Sequence, residues 1–419
     1  MAEQQRNWAG NITFGARQVH WPRSVDELQL IVANSDRMRP LGTGHSFNHI
    51  ADTPGDLVSV ADLPPVVDID PAGDTVTVSG GLRYGEFVGR LHEAGYALPN
   101  LGSLPHISVA GAVATATHGS GRGNGNLATA VRAVELIDAD GERRRITRGE
   151  PDFDGAVVGL GGLGVVTALT LDLRPTFQVA QHVYRDLPVA GFTGHAQEIL
   201  AAGYSVSVFT DWSGGPINQV WRKRIVDGEL AAPEEWFGAR LATEQRNPVP
   251  AMPGTNATEQ LGVPGPWFQR LPHFRLEFTP SAGDELQTEY FLAREHVVEA
   301  YTALAAIREQ LAAVVQVCEF RTIAPDEYWL SPAYRRDSVA FHFTWIPDID
   351  AVTPVLSAIE AQLAPFDTRP HWGKLFNLGP DVLRARYPRY ADFADLLGRW
   401  DPRGKFRNDY LNRFFPSPG

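Results

Sequence analysis

The sequence predicts an α+β protein of two domains, and three observations lead to this prediction. The chain has 419 residues, which is more than one hydrophobic core usually serves. Short strand-like and helix-like segments follow one another through the first hundred residues. Near Pro175 the character of the sequence changes, and the segments that follow are longer and richer in aromatic residues.

Composition narrows the class of protein. Hydrophobic residues make up 43% of the chain and charged residues 21%, which is typical of a globular protein. The net charge of −12 argues against binding to nucleic acid. Cys318 is the single cysteine, so an intrachain disulfide and a cysteine-based metal site are excluded. The polar N-terminus lacks a signal-peptide core, and no apolar stretch is long enough for a membrane span. We therefore expect a cytoplasmic enzyme with no metal, no nucleic acid and no membrane partner.

The first elements are short and follow local signals. Residues 24–27 form a capping box, and apolar residues at helical spacing continue it to Asn34. An extended segment at 38–41 comes next, and residues 75–78 alternate as a strand does. A helical stripe over 84–91 then runs to a glycine stop at Gly95.

The strand at 38–41 leads into a glycine-rich turn, Gly42-Thr43-Gly44-His45-Ser46. Glycine permits a positive φ, and a turn whose N–H groups converge is an anion-binding nest suited to a phosphate. His45 lies beside whatever the nest holds. From this pattern alone, a tight turn with a solvated histidine is an equally good interpretation.

Two further glycine-rich stretches invite a ligand interpretation. Residues 101–121 are small, neutral and rich in hydroxyl groups, which lets a backbone approach a flat ligand; a buried helix followed by a glycine loop explains them as well. Residues 159–164 match the Gly-x-Gly-x-x-Gly dinucleotide fingerprint, but an alternating β-branched segment follows them instead of a helix. We therefore reject a Rossmann unit and predict a glycine turn that leads into a strand.

The middle of the chain places polar side chains on predicted strands. In the segment 317–322, Glu319 and Arg321 share one face, and in 341–345, His342 and Thr344 share one face. These pairs suit a small polar ligand, although a structural ion pair on a solvated sheet face fits the pattern equally well. We also predict strands at 206–212 and 274–278, a helix over 295–311, and a loop at 247–266 that covers a site.

Taken together, the motifs resemble a known family. Residues 41–48, 104–111 and 117–121 are similar to the FAD domain of the vanillyl-alcohol-oxidase superfamily. Within it, residues 7–11, 210–212, 263–267, 371–374 and 401–406 most closely resemble the bacterial alditol (xylitol) oxidases. The resemblance covers nearly the whole chain.

The resemblance implies an FAD-binding domain formed by residues 1–175 and 376–419, and a substrate-binding cap domain, residues 176–375, with a large antiparallel sheet. It implies that FAD is attached covalently through His45, by this single link because Cys318 lies in the cap. The residues that it implies for cofactor binding are Pro40, Leu41, Gly42, Thr43, Gly44, His45, Ser46, Ser103, Ser108, Gly111, Thr115, Ala116, Thr117, His118, Val165 and His371.

The same resemblance implies that the substrate is a polyol held by Ser103, Glu319, Arg321, Thr344 and Lys374. A polyol needs a donor or acceptor at every carbon, which a site of fixed polar groups supplies. Arg321 and Lys374 are expected to stabilise developing alkoxide charge, and His342, with its ordinary pKa near ~6.5, is the candidate base.

The expected reaction is oxidation of an alditol's terminal alcohol to an aldose, with O2 reduced to H2O2 by a monomeric enzyme. The resemblance also implies an oxidase rather than a dehydrogenase, because Gly102 has no side chain to obstruct oxygen and a larger residue near this position disfavours oxygen in related flavoenzymes. Two alternatives remain at this point: the same fold acting on a sugar-1,4-lactone or another alcohol, as oxidase or dehydrogenase, and a flavin- or sugar-binding protein without turnover.

Overall fold

The computed structural model describes residues 5–228, 232–250, 252–278, 281 and 283–416. It confirms the α+β class, since helices and several sheets alternate along the chain and a large antiparallel sheet lies at its centre. No helix within these ranges is long and apolar enough to cross a lipid bilayer.

The region up to Pro175 builds three small sheets. Its strands are β1 Gln18–His20, β2 Met38–Pro40, β3 Asp56–Val58, β4 Val67–Asp70, β5 Thr75–Ser79, β6 Tyr96–Ala97, β7 Val131–Ile137, β8 Arg143–Thr147, β9 Val165–Asp172 and β10 Arg174–Pro175. Its helices are α1 Val25–Asn34, α2 Tyr84–Glu93, α3 Val109–Ala114 and α4 Phe153–Ala156. The sheets run β1-β3-β2 (parallel), β4-β5-β9-β7-β8 (antiparallel) and β6-β10.

Local signals predicted this region well. Ser24 caps α1, where its Oγ accepts the Glu27 N–H at 3.1 Å, and Gly95 ends α2 with a φ of +87°. The glycine turn at 159–164 leads into β9, which lies at the centre of the five-stranded sheet. The rejection of a Rossmann unit is therefore confirmed.

The following region is organised around a ten-stranded antiparallel sheet. Its strands are β11 Gln178–Leu187, β12 Ser205–Thr210, β13 Ile217–Ile225, β14 Glu235–Trp236, β15 Ala239–Leu241, β16 Gly265–Pro266, β17 Leu286–Ala293, β18 Val315–Ile323, β19 Ser338–Trp345 and β20 Arg369–Pro370. Its helices are α5 Val189–Leu200, α6 Val297–Ala305, α7 Arg308–Ala312 and α8 Ile349–Leu363. The strand order is β14-β15-β11-β13-β12-β18-β19-β17-β20, and β16 pairs with β11.

One face of this sheet is apolar and the other is polar. On the apolar face, the Phe320 ring of β18 packs against Phe192 of α5 and Tyr301 of α6, at centroid distances of 5.8 and 5.9 Å. Because side chains alternate along a strand, Glu319 and Arg321 point to the opposite face. That second face looks toward the N-terminal region.

Two predicted elements differ in the structure. Residues 274–278 form turns with one bridge, Phe274 to Ala257, because this segment lies beside a loop and not along a sheet edge. The helix predicted over 295–311 is divided into α6 and α7, since Ile307 takes a non-helical φ of −111° and ψ of 18°.

In the loop predicted at 247–266, of which residue 251 lies outside the described residues, Pro248 and Val249 line the cleft described below. Buried side-chain amides hold this segment. Gln219 Nε2 donates to the Asn247 carbonyl at 2.8 Å, and Gln260 Oε1 accepts the Arg246 N–H at 2.9 Å. Both glutamines are buried, so the loop is fixed at both sides of its turn.

The last segment returns to the N-terminal region as helices α9 Pro380–Arg386, α10 Tyr390–Trp400 and α11 Asp409–Phe414. The guanidinium of Arg39 donates to the Phe406 carbonyl at 2.7 Å and to the Leu160 carbonyl at 2.7 Å. Asn408 Nδ2 donates to the Ile50 carbonyl at 3.1 Å. These contacts join the end of the chain to the strand that enters the nest and to the glycine turn.

Candidate active site

A long cleft lies between the N-terminal region and the polar face of the ten-stranded sheet. It consists of one cavity against the sheet and a second cavity that runs toward the glycine turn at 159–164. The two cavities meet at residues 41–44, Ser108 and Gly111, which line both.

The predicted cofactor residues converge on this cleft with one exception. Those that line the sheet-side cavity are Leu41, Gly42, Thr43, Gly44, His45, Ser46, Ser103, Ser108, Gly111, Thr115, Thr117, His118 and His371. Pro40 and Val165 line the second cavity. Ala116 lines neither; it is buried, with a φ of +54°. The hydroxyl-rich stretch thus turns at Ala116, so that its neighbours on either side reach the cleft.

The nest has the form of a backbone cradle. Gly44 has a φ of +71°, whereas Gly42 does not adopt a positive φ and serves a different purpose, because a Cβ there would stand 2.6 Å from Ser108 Oγ. The backbone N–H groups of residues 42–46 donate no hydrogen bond to the described part of the chain. Such a run of free N–H groups fits the pyrophosphate of FAD.

His45 lines the sheet-side cavity, between Gly44 and Ser46, which line both cavities. Its Nδ1 lies 2.9 Å from Thr43 Oγ1, and Trp8 stacks on its ring at a centroid distance of 5.1 Å. Its Nε2 is buried and has no hydrogen-bond partner among the described residues, as is also true of Ser108 Oγ. Burial, and then the nearby His106, lower the pKa of His45 to about 4. The ring is therefore neutral at neutral pH, the form in which an imidazole is a nucleophile.

The charged centre of the sheet-side cavity is Glu289 of β17, a residue absent from the sequence predictions. Its Oε1 lies 2.6 Å from Arg321 Nη2 and 3.0 Å from His118 Nε2, and its Oε2 lies 2.7 Å from Lys374 Nζ. Burial raises the pKa of the Glu289 carboxyl, but the opposing charges of Lys374, His118 and Arg321 outweigh it and hold that pKa well below its usual range. Glu289 therefore stays ionised and fixes two cationic side chains at the cavity wall.

Glu319 forms a second buried anion beside Arg321. Its Oε1 accepts from His273 Nε2 at 2.7 Å, and its Oε2 lies 3.4 Å from Arg321 Nε. Burial acts to raise the pKa of Glu319, but the charge of Arg321 and the hydrogen bond from His273 hold it well below its usual value. Ser103 Oγ accepts from Arg321 Nη1 at 3.0 Å, which ties the N-terminal region to this group.

Period-two alternation brings His342 and Thr344 of β19 to the same cavity, as predicted. His342 pairs across the sheet with Glu319 on one side and with Glu289 on the other. Its Nε2 is buried without a partner among the described residues. The expectation that His342 has the ordinary pKa of a histidine is wrong, however. Burial, and then the charge of Lys374, lower the pKa of His342 to about 4. His342 is a weaker base than its ordinary value indicated.

His371 and Lys374 come from the turn after β20. His371 Nδ1 accepts the Gly373 N–H at 3.1 Å, and its Nε2 lies 3.4 Å from Thr117 Oγ1. This backbone contact fixes the ring between the cofactor stretch and the cavity. The turn also directs Lys374 toward Glu289.

Sequence reasoning missed three buried groups: Glu289, His273 and Lys223. Glu289 carries a usable signal, because it shares a strand face with Gln287 in a segment of strand-forming residues, Leu286–Ala293. His273 follows Pro272 in a turn and carries no periodic signal. Within the described residues, no group of three or more His, Cys, Asp or Glu side chains is arranged to hold a metal ion.

The chain is similar in sequence and in fold to known flavin-dependent proteins and other oxidases and dehydrogenases. A family described as "FAD binding domain" matches residues 16–147, and one described as "D-arabinono-1,4-lactone oxidase" matches residues 284–414. An alditol oxidase of Streptomyces sp. (strain IKD472) is 53% identical over 98% of this chain and 99% of its own length. An L-gulono-1,4-lactone dehydrogenase of Mycobacterium tuberculosis is 28% identical over 97% of this chain and 98% of its own. The crystal structure of a cholesterol oxidase from B. sterolicum superimposes with a TM-score of 0.81, at 13% identity, over 99% of this chain and 96% of that one; at this identity it supports the fold alone.

Proposed function

Because the chain belongs to the alditol oxidase family of FAD-dependent oxidoreductases, we propose that it oxidises the terminal primary alcohol of alditols such as xylitol and sorbitol. The products are the aldose and, from O2, H2O2. The observation that carries the proposal is the buried group of Glu289, Glu319, Arg321 and Lys374, which lines the same cavity as the nest. Cytoplasmic location and a monomeric state remain predictions from the sequence.

The nest and the small-residue stretch are the groups that would hold FAD. Residues 42–46 offer free N–H groups for the pyrophosphate, and the glycine turn at 159–164 lines the far cavity. The neutral His45 ring, held by Thr43 and Trp8, supports our proposal that the flavin is attached covalently through this residue. When bound, FAD supplies the acceptor for the hydride that leaves the carbinol carbon.

The substrate's hydroxyl groups require fixed partners. Glu319 accepts hydrogen bonds, Arg321 and Lys374 donate them, and the hydroxyls of Ser103 and Thr344 can do either. All five lie on the cavity wall, and bonds within the protein anchor the first four. A substrate lacking one hydroxyl would leave one of these buried groups unpaired, which penalises its binding.

The hydroxyl proton must leave as the hydride leaves. Arg321 and Lys374 are placed to stabilise negative charge on the oxygen, an effect worth about 2.7–4 kcal/mol for an oxyanion donor. His342, neutral and with a free Nε2 among the described residues, remains the candidate that takes the proton. Its lowered pKa means that the two cations must first make the hydroxyl more acidic.

The direct test is anaerobic addition of xylitol to the purified holoenzyme, followed by air. We expect the visible flavin band to bleach and then to recover with formation of H2O2. Bleaching without recovery would mean a dehydrogenase with another acceptor. The absence of bleaching with every alditol would refute the proposed substrate class.

A lactone oxidase is the second candidate, and the match of residues 284–414 to the lactone oxidase family favours it. A sugar-1,4-lactone presents a carbonyl that Arg321 or Lys374 would bind, but it carries fewer hydroxyls for Glu319. The Arg321→Ala variant separates the candidates when alditols and lactones are compared side by side. An equal loss of affinity for both would weaken the alditol assignment.

A further inference from the structure

Lys223 of β13 is a fully buried lysine outside the substrate contacts described above. Its Nζ lies 2.5 Å from the Leu271 carbonyl, 3.0 Å from the Pro272 carbonyl and 3.0 Å from His273 Nδ1. It is one of only three lysines in the chain. Burying a charged amine is costly, and burial lowers the pKa of Lys223 well below its usual value; its three partners keep the amine in place.

The hydrogen-bond partners fix the state of the neighbouring ring. An ammonium has three N–H donors and no acceptor, and Lys223 has three acceptors within hydrogen-bond distance. His273 Nε2 lies 2.7 Å from Glu319 Oε1, and a carboxylate can only accept. The ring hydrogen therefore lies on Nε2, and Nδ1 accepts from Lys223, which has an N–H to donate in either charge state. The chain of contacts is thus consistent in one direction: Lys223 donates to His273, and His273 donates to Glu319.

We propose that Lys223 is a positioning residue for the alditol: it fixes the Nε2–H tautomer of His273, which in turn holds the Glu319 carboxylate ionised and oriented toward the substrate hydroxyls. The proposal rests on the proposed function, because it assigns Glu319 to the alditol. Lys223 touches neither cavity, so its effect on substrate passes through His273.

The surroundings make this ring sensitive to charge. The charged and polar groups that face His273 come from three strands: Lys223 of β13, Ser207 of β12, and Glu319 and Arg321 of β18. The rings of Trp221 and Phe209 cover it at 5.2 and 5.6 Å. Beyond Glu319 lie His342 and, through Arg321, Glu289 and Lys374.

The same geometry excludes a proton exit through this chain of contacts. Lys223 is completely buried, and its other two partners are backbone carbonyls, which cannot take a proton. Burial, and then the charge of Lys223, lower the pKa of His273 to about 4. These contacts therefore orient the Glu319 carboxylate and do not carry a proton away from the site.

The test measures KM and kcat for xylitol with the holoenzyme across about pH 5 to 8, where a histidine ordinarily titrates. Without Lys223, His273 gains affinity for a proton. Below the new pKa of His273 the ring carries both hydrogens and still donates to Glu319. Above that pKa the ring is neutral, and Lys223 is no longer there to hold Nδ1 as the acceptor, so the Nδ1–H tautomer can form. In Lys223→Met we therefore expect KM to rise with pH by about tenfold or more, the effect of losing a hydrogen bond to a charged group, while kcat changes much less.

Two further variants assign the effect. Lys223→Met/His273→Gln has no ionisable group at this position, so the new pH dependence should disappear. Lys405→Met removes another buried lysine, whose Nζ donates to the Val32 carbonyl far from the cavity, and should keep the wild-type KM profile. A folded, flavin-containing Lys223→Met with a wild-type KM profile would overturn the proposal, and so would a double variant that retains the new ionisation.

Two measurements keep the test decisive if Lys223→Met does not fold or if xylitol is not a substrate. His273→Gln, whose amide can donate to Glu319, should have a lower KM than His273→Leu; equal values would overturn the proposal. In wild-type protein, ¹⁵N NMR of the His273 ring should show a neutral Nε2–H tautomer whatever the substrate is, and an Nδ1–H tautomer would refute the inference. Failure of flavin reduction by every alditol would instead refute the proposed function.

Discussion

The two walls of the cleft bind their ligands by different physics. The nest wall offers backbone N–H groups, glycines that admit close approach, and polar atoms such as His45 Nε2 that have no partner in the described chain. The sheet wall offers charged side chains that are already paired with one another, such as Glu289 with Arg321 and Lys374.

Because of this difference, the nest wall provides affinity for the cofactor, and the sheet wall provides selectivity for the substrate. A large flat cofactor is held by many backbone contacts, which require the glycines to remain small. A small polyol is selected by a few charges whose positions are fixed before it arrives, so little ordering cost remains at binding. Changes on the nest wall should therefore affect the cofactor, and changes on the sheet wall should affect the substrate or stability while the cofactor stays bound.

The largest expected effect is on the nest wall. In His45→Ala we expect all of the flavin to be released on acid precipitation, whereas the wild-type protein retains it, because the proposed link runs through His45 alone. The supernatant absorbance measures this. His49→Ala is the matched control, since that ring is exposed and pairs with Asp52 on the surface. Release of flavin from the wild-type protein would refute the covalent link.

The next effect is on the sheet wall. Arg321→Ala removes the cation that bridges Glu289, Glu319 and Ser103. We expect kcat/KM for xylitol to fall about 10²–10³-fold, as for loss of an oxyanion donor, with an unchanged flavin spectrum. Arg335→Ala is the control, because its contact with Glu327 is exposed. A parallel loss of flavin would show that the two walls are not independent.

A stability effect should follow in Glu289→Gln. The substitution keeps the shape but leaves Arg321 and Lys374 without their shared anion, and breaking a buried ion pair costs about 3–5 kcal/mol of unfolding free energy. Denaturant unfolding measures it. Glu327→Gln, an exposed partner, should change by less than about 0.5 kcal/mol. Equal stabilities would mean that water already screens Glu289.

The smallest effect concerns acid. The pKa of His342 is about 4 in the folded protein, where burial lowers it, against 6.5 for the free side chain. Between these values the unfolded state binds more protons, so stability is complete above about 6.5 and is lost as the pH falls toward 4. In His342→Gln this loss should be smaller by about 1 kcal/mol between pH ~6 and ~5. If thermal unfolding shows the same loss of stability with falling pH in both proteins, His342 does not cause that loss.

Much of the nest wall could be predicted from the sequence because its signals are local. The capping box at 24–27, the glycine run at 42–46 and the strand after residues 159–164 are each set by a few neighbouring residues. Ala116 shows the limit: its positive φ turns it away from the cleft, and nothing in a stretch of small residues marks the position of that turn.

Two residue pairs on the sheet wall could be predicted equally well. The alternation of side chains along a strand places Glu319 with Arg321, and His342 with Thr344, on common faces. The period of two states which side chains share a face of one strand. It does not state which strands become neighbours, and the order β12-β18-β19-β17 decides that.

The sequence by itself determined the α+β class, the glycine nest, the rejection of a Rossmann unit and the two polar strand pairs, because backbone periodicity and glycine conformation are local properties. Only the tertiary structure decided that Glu289 joins Arg321 to Lys374, that Lys223 reaches Glu319 through His273, and that His342 has a low pKa. These features depend on burial and on contacts between residues far apart in the chain, where the cost of an unpaired charge selects the partners.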